Sequence, residues 1–149
     1  MASYSISTVI CLPFDRALKE TRDALAEEEF VVLTEIDLQA ELSRKLGQKI
    51  RPHTILGVWV PSWEYRALEQ EPDIALLMPS HVCLRENADS TCTLVTADLK
   101  HLCQAADNSP LAEAARAVNA RLRAMVASVQ FTGVTDTQKG PSNESGRSK

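Results

Sequence analysis

The first two-thirds of the chain alternates short apolar runs with segments whose apolar residues recur at helical spacing. The apolar runs predict strands at residues 4–11, 30–36, 54–60, 74–78, 81–86 and 91–97. Helical spacing predicts a first helix from about residue 15 to 28, a short second helix after Asp37 and a third after Pro61-Ser62, with Ser62 as its N-cap. A long final helix is expected from Ser109-Pro110, since serine favours the N-cap and proline the first helical position.

The second predicted strand and helix carry the clearest expectations about burial. The run at 30–36 is almost continuously apolar, which predicts a strand covered on much of both faces. Leu38, Leu42 and Leu46 are expected to form the buried edge of the helix that follows. Gly47 is expected to end this helix, because glycine takes a positive φ at little cost.

The late strands predict a hairpin around a turn at residues 87–90. If Arg85 faces Cys92, then Cys83 faces Leu94, and the two cysteines share a face only diagonally. A diagonal pair is too far apart for an easy disulfide, so we predict free thiols.

The order of predicted elements is β-α-β-α-β-α-β-β-β-α, which is typical of an α+β domain. We expect a mixed or antiparallel sheet with the helices mainly on one face. Gly57 in the middle of a strand indicates a bulge or a close approach by another group. Residues 1–131 are expected to form a single domain, and the Thr-, Gly- and Ser-rich residues 132–149 a disordered tail.

Charge and composition exclude several classes of protein. The net charge of -4 argues against nucleic-acid binding, which needs a basic surface. No apolar run is long enough to span a bilayer, and residues 1–5 do not begin a secretory signal, so we expect no membrane partner. Four cysteines without zinc-site spacing are expected to be reduced, and we predict a cytoplasmic, bacterial protein.

Two carboxylates, Glu35 and Asp37, lie at a strand end and on the same side of it if the strand stays extended. Such a pair can perform acid–base chemistry or hold a cation. The favoured interpretation is structural: Asp37 caps the next helix, and Glu35 pairs with Arg51 or Arg66. His53 and His81 could join these carboxylates around a metal, but no close ligand spacing supports this, so we predict neither metal nor cofactor.

Trp59, Trp63 and Tyr65 cluster near Pro61, and aromatic residues in so short a span are most often core or interface anchors. A ligand groove bordered by Trp63, Tyr65 and Arg66 is the alternative, because a guanidinium can hold a carboxylate or phosphate with two hydrogen bonds. The sequence has neither a glycine-rich phosphate loop nor a serine nucleophile elbow, which argues against nucleotide-driven and classical hydrolase functions.

Three segments carry a family resemblance, and the spacing between them matches the family pattern without gaps from residue 30 to 86. They are FVVLTEID at 30–37, RPHTILGVWVPSWEYRAL at 51–68 and LLMPSHVCLRE at 76–86. Together they resemble the family called domain of unknown function 302. The resemblance implies a small α+β domain that forms a homodimer, and it implies no established activity. Trp59 and Ser80 stand where the family pattern has cysteines, so any thiol chemistry of that pair is absent here.

The function expected from the sequence is a homodimeric small-ligand-binding or accessory domain without catalysis of its own. Its groove, for a small anionic ligand, would use Glu35, Asp37, Arg51, Trp63, Tyr65, Arg66 and His81. One alternative is a small enzyme in which His81 or Glu35 is the acid–base group and Arg66 orients an anionic substrate. Another is a protein-interaction module.

Overall fold

The computed structural model describes residues 4–105 and 109–130. The strands are β1 (Ser5–Ile10), β2 (Val31–Asp37), β3 (His53–Trp59), β4 (Ser80–Glu86) and β5 (Cys92–Ala97). The helices are α1 (Phe14–Glu27), α2 (Leu38–Leu46), α3 (Pro61–Gln70), α4 (Lys100–Ala105) and α5 (Ser109–Val129), with a 3₁₀ helix at Pro72–Leu77. The proposed tail at 132–149 lies outside the described residues.

The five strands form one sheet in the order β1-β5-β4-β3-β2, and every neighbouring pair is antiparallel. Since β1 and β2 are at opposite edges, α1 carries the chain across the whole sheet between them. The α+β class, the antiparallel sheet and the packing of helices against it are confirmed. None of the helices in the described ranges is long and apolar enough to cross a membrane.

The core lies between the sheet and its two long helices, α1 and α5. Even-numbered residues of β3, β4 and β5, such as Leu56, Leu84 and Leu94, point into it and are almost completely buried. Leu25 of α1 and Leu122 of α5 meet them and are 0% exposed. Each such side chain contributes about 1.5–3 kcal/mol of burial energy, so this one face holds the fold together.

The other face of the sheet, called here the open face, consists of the odd-numbered residues of β1, β3, β4 and β5 together with Thr34 and Ile36 of β2. The strand register places Ile36, Ile55, Cys83 and Val95 in one row across four strands. Apart from Gly57, which has no side chain, no residue of this face is buried. An apolar row therefore crosses a face that the chain leaves accessible.

The prediction that the second strand is covered on both faces is wrong. β2 is an edge strand, none of its residues is buried, and Leu33 is 47% exposed. The prediction for α2 is wrong in the same way, because none of Leu38, Leu42 and Leu46 is buried. Gly47 does end α2, with φ 63°. An apolar run reports the tendency to form a strand, but the position in the sheet decides how much of it is covered.

Two predicted boundaries are also wrong. Residues 74–77 belong to the 3₁₀ helix and Met78 follows its end, so no strand forms at 74–78. The N-cap of α3 is Val60 rather than Ser62, and Pro61 occupies the first helical position, where its missing N–H costs nothing.

The predicted register of the late hairpin is off by one residue. Arg85 pairs with Thr93, and Cys83 pairs with Val95, so Cys83 lies on the open face whereas Cys92 lies in the core. The turn spans residues 87–91, one residue more than predicted, and Ser90 within it has φ 64°. The predicted free thiols are confirmed, since all four cysteines are unpaired.

Candidate functional site

A cavity of about 50 Å³, half-open to solvent, lies between α3, the 3₁₀ helix, α4 and α5. Its walls are mostly apolar side chains. They come from Trp63, Ala67, Ile74, Leu77, Met78, Leu99, Leu102, Leu111, Ala114, Ala115 and Val118. Helical spacing puts Leu111, Ala114, Ala115 and Val118 on one side of α5. The two alanines are too small to fill the space facing α3, and the cavity results.

The polar groups of the cavity wall are Glu64 and Ser80. Glu64 is 5% exposed, and its Oε2 accepts a hydrogen bond from the backbone N–H of Val60 at 2.8 Å. This bond satisfies the N-cap amide of α3, so Glu64 has a structural role at the helix start. Across residues 4–105 and 109–130, no Lys, Arg or His side chain forms an ion pair with it.

Burial raises the pKa of Glu64 from its ordinary value of 4.5 to about 7, and the hydrogen bond from Val60 opposes the shift only in part. A buried carboxyl group without a cation favours its neutral form, because an unpaired charge is costly in apolar surroundings. Near neutral pH the group can therefore donate or accept a proton, accept a hydrogen bond or pair with a cation. A strongly shifted acid in a cavity is a common property of functional sites.

Hydrogen bonds around Asp98 hold α4, one wall of the cavity, against α5. Asn119 of α5 donates to Asp98 Oδ1 at 3.1 Å and accepts from the backbone N–H of Leu99 at 2.8 Å. Asp98 Oδ1 also accepts from the N–H of Lys100 at 3.1 Å, and Arg123 donates to Asp98 Oδ2 at 2.7 Å. The connection between β5 and α4 is thereby tied to the middle of α5.

Trp63 and Arg66, two members of the predicted groove, lie together. The guanidinium carbon of Arg66 is 5.1 Å from the centroid of the Trp63 ring, a cation–π arrangement. Both line a second pocket of about 190 Å³, to which Glu69 and Glu113 also contribute. Tyr65 is exposed, and a hydrogen bond to Glu69 raises its pKa.

Glu35 and Asp37 lie on the same side of β2, as predicted, opposite Leu56 and Thr54 of β3. Asp37 caps α2, because its Oδ1 accepts from the N–H of Ala40 at 3.0 Å. The structural interpretation of Asp37 is confirmed. The partner of Glu35 is Arg22 of α1, so the predicted pairing with Arg51 or Arg66 is wrong.

Arg51 and His81 lie apart from the Trp63–Arg66 pair. Arg51 makes an ion pair with Glu86 at 3.5 Å. His81 is exposed on the open face, next to Gly57 of β3, whereas Glu35 points to the helix-covered face. His81 and Glu35 therefore project from opposite sides of the sheet and do not meet in one site.

His53 opens β3 opposite Arg85, and burial lowers its pKa. Among the residues that the structure describes, no group of three or more His, Cys, Asp and Glu side chains is placed to hold a metal ion.

The two positions where the family pattern has cysteines lie near each other but on different faces. Ser80 pairs with Val58 on the helix-covered side and lines the cavity. Trp59 follows Val58 and points to the open face, opposite Val31. Its indole N–H is buried without an acceptor among the described residues, and nothing in the structure explains it.

Sequence reasoning missed Glu64 as a site residue. The signal was present, because Val60, Glu64 and Ala67 are spaced by four and three residues and so share one side of a helix. Val60 and Ala67 are apolar and buried, and a carboxylate between them on that side is expected to be buried too. The spacing alone predicts the burial of Glu64 but not the cavity beside it.

A known protein of similar structure shares this α+β fold. No curated protein matches the chain. A crystal structure of the uncharacterized conserved protein DUF302 from Bacillus stearothermophilus is similar, with a TM-score of 0.75 and 20% sequence identity, over 85% of this chain and 98% of that chain. The model of the family described as Domain of unknown function DUF302 matches residues 6–129, from within β1 to the end of α5. The chain therefore belongs to the DUF302 family.

Proposed function

We propose that the protein is a cytoplasmic, small-ligand-binding domain whose ligand occupies the cavity between α3 and α5. The observation that carries the proposal is the buried carboxyl group of Glu64 in an otherwise apolar cavity wall. Small-molecule sites are typically concave and apolar with a few polar groups that orient the ligand. The four free cysteines favour a reducing compartment such as the cytoplasm.

Two observations favour binding of a ligand other than an anion, and binding over catalysis. An anion would have to be held by Arg66, but Glu69 and Glu113 line the same pocket and oppose negative charge. A catalytic mechanism that uses both His81 and Glu35 would need them in one pocket. They lie on opposite faces of the sheet.

Filling the cavity should weaken binding of a small ligand. In wild-type protein, n-butanol should shift the methyl NMR signals of Leu111 and Val118, which line the cavity, more than those of Leu25, which does not line it. Ala114→Leu adds a larger side chain to the cavity wall and should weaken n-butanol binding by about tenfold or more.

Ala124→Leu, on the exposed side of α5, is the matched control and should bind n-butanol as the wild type does. Thermal unfolding should show that both variants are folded. Equal binding by Ala114→Leu and wild type, or the absence of cavity methyl shifts, would contradict the proposal.

We further propose that the protein is a homodimer in which two open faces pack together. An antiparallel sheet can leave one face in water, but an apolar row across that face favours a protein partner. The row of Ile36, Ile55, Cys83 and Val95 lies near the middle of this face and supports a second copy as the occupant.

Native mass spectrometry tests the dimer. Wild-type protein should have the mass of two chains, and Ile55→Lys should have the mass of one, because a lysine in the apolar row would bury a charge in the interface. Leu76→Lys is the control, since Leu76 is 87% exposed on the 3₁₀ helix, outside the open face. A monomeric wild type, or a dimeric Ile55→Lys variant, would exclude this interface.

A further inference from the structure

We propose that the cavity selects small primary alkylamines, whose ammonium group pairs with Glu64 while the alkyl chain contacts the apolar wall. This inference rests on the proposed function and adds the chemical class of the ligand. It follows from three properties of the cavity: Glu64 has no cationic partner among the described residues, the volume is small, and no other charged side chain of those residues lines the wall.

The carboxyl group of Glu64 is buried without a counter-ion among the described residues. It accepts a hydrogen bond from the backbone amide of Val60, at the start of its own helix. Breaking or omitting one member of a buried ion pair leaves an uncompensated charge, and supplying the missing member removes that cost. An ammonium group brings both the positive charge and three hydrogen-bond donors.

The size and chemistry of the wall limit what can accompany the amine. A cavity of about 50 Å³ has room for roughly four water-sized groups. Trp63, Leu111 and Val118 offer apolar contacts and few hydrogen-bond partners, Ser80 being the other polar wall residue. With the ammonium nitrogen taking one of these places, about three carbons fit inside and the end of a four-carbon chain reaches the half-open mouth. A polyhydroxylated or strongly polar chain would lose its hydrogen bonds to water.

Among the described residues, no other charged group faces Glu64 from the elements around the cavity. The 3₁₀ helix and the segment that leads into β4 contribute Ile74, Leu77 and Met78, and β4 contributes Ser80. Leu99, α4 and α5 add only apolar side chains to the wall. The charge of the site is therefore that of Glu64 alone, and an anion such as butyrate should bind more weakly than an alcohol of the same length.

The pH dependence follows from this single group. Burial holds the pKa of Glu64 at about 7, so the carboxylate is mostly charged at pH 8 and mostly neutral at pH 6. An alkylamine stays protonated over this range. The preference for the amine should therefore be strong at pH 8 and decline towards pH 6.

The test compares n-butylamine, n-butanol and butyrate, which share an alkyl chain, by methyl NMR titration at pH 8 and pH 6. In wild-type protein at pH 8, n-butylamine should bind about tenfold tighter than n-butanol. Glu64→Gln should remove this preference while n-butanol still binds. The variant keeps a carbonyl oxygen that can accept the hydrogen bond from Val60, so it should fold. Glu113→Gln, exposed on α5 and outside this cavity, should keep the wild-type preference.

Each outcome decides between the two proposals. If n-butanol binds and n-butylamine binds no better, the amine inference is wrong and the proposed ligand-binding function stands. If neither compound binds, both are wrong. A preference for the amine that persists in Glu64→Gln would also overturn the inference, because the ammonium group would then have another partner.

Discussion

The free energy of unfolding of the wild-type protein should fall as pH rises from about 5 to 8 because Glu64 loses its proton, and Glu64→Gln should remove this contribution. The folded pKa of Glu64 is raised, so the folded state holds this proton more tightly than the unfolded chain does. The resulting stabilisation is fully present below the unfolded pKa and is lost as pH rises through the folded pKa. A pKa of about 7 in place of 4.5 corresponds to on the order of 3 kcal/mol over this range.

The measurement is the free energy of unfolding by urea at pH 5 and pH 8 for wild type, Glu64→Gln and Glu113→Gln. Other groups also titrate between these values, so the quantity of interest is the difference between wild type and Glu64→Gln. As pH rises, the free energy of unfolding of Glu64→Gln should increase relative to that of the wild type. The exposed control Glu113→Gln should differ from wild type by less than about 0.5 kcal/mol at both pH values. A difference between wild type and Glu64→Gln that does not change with pH would show that Glu64 is not buried as a free acid.

Gly57→Ala should destabilise the protein by about 1–3 kcal/mol, the usual cost of overpacking. A Cβ at this position would collide with the hydroxyl oxygen of Thr34 and would lie 2.9 Å from Cγ of Pro79. Thr34 can rotate, but the proline ring cannot, so β3 would have to move away from its neighbours. The backbone of Gly57 does not have a positive φ, and the cost is therefore steric.

A double-mutant cycle separates the two contacts. Thr34→Ala removes the hydroxyl and should restore part of the stability lost in Gly57→Ala, leaving the cost of the contact with Pro79. Gly47→Ala is a useful comparison, because no atom lies within 4 Å of its added Cβ and only the positive φ opposes it. If Gly57→Ala unfolds at the same urea concentration as wild type, β2 and β3 are more loosely joined than the structure indicates.

The elements that the sequence predicted well are those specified by contacts within a few residues. Asp37 caps α2 and Gly47 ends it, both through backbone groups three or four positions away. Helical spacing predicted α1 to within a residue at each end, and the Ser109-Pro110 pair marked the start of α5. Gly57 was interpreted as marking a bulge or a close approach, and both lie there: the register shifts between Val32 and Thr34, opposite Gly57, and a Cβ would not fit.

The errors arise where distant parts of the chain decide the outcome. An apolar run does not reveal whether its strand will have one neighbour or two, and β2 has one. A turn sequence does not reveal how many residues the turn will take, and one residue more than predicted shifts the register of β4 and β5 by one residue. The predicted groove residues Glu35 and His81 lie on separate surfaces for the same reason, since Glu35 pairs with Leu56 and His81 with Gly57, whose side of β3 is the opposite one.

By itself, the sequence determined the class of the fold, the family and most of its helices and strands, because these depend on local spacing and on residue type. Only the tertiary structure decided which side of the sheet is covered and that α3 meets the alanine-rich side of α5. The contact between α3 and α5 leaves a cavity next to the carboxyl group of Glu64. It buries this group without placing a described cationic side chain beside it. The raised pKa of Glu64 comes from this packing of α3 against α5, which no pattern within the α3 segment predicts.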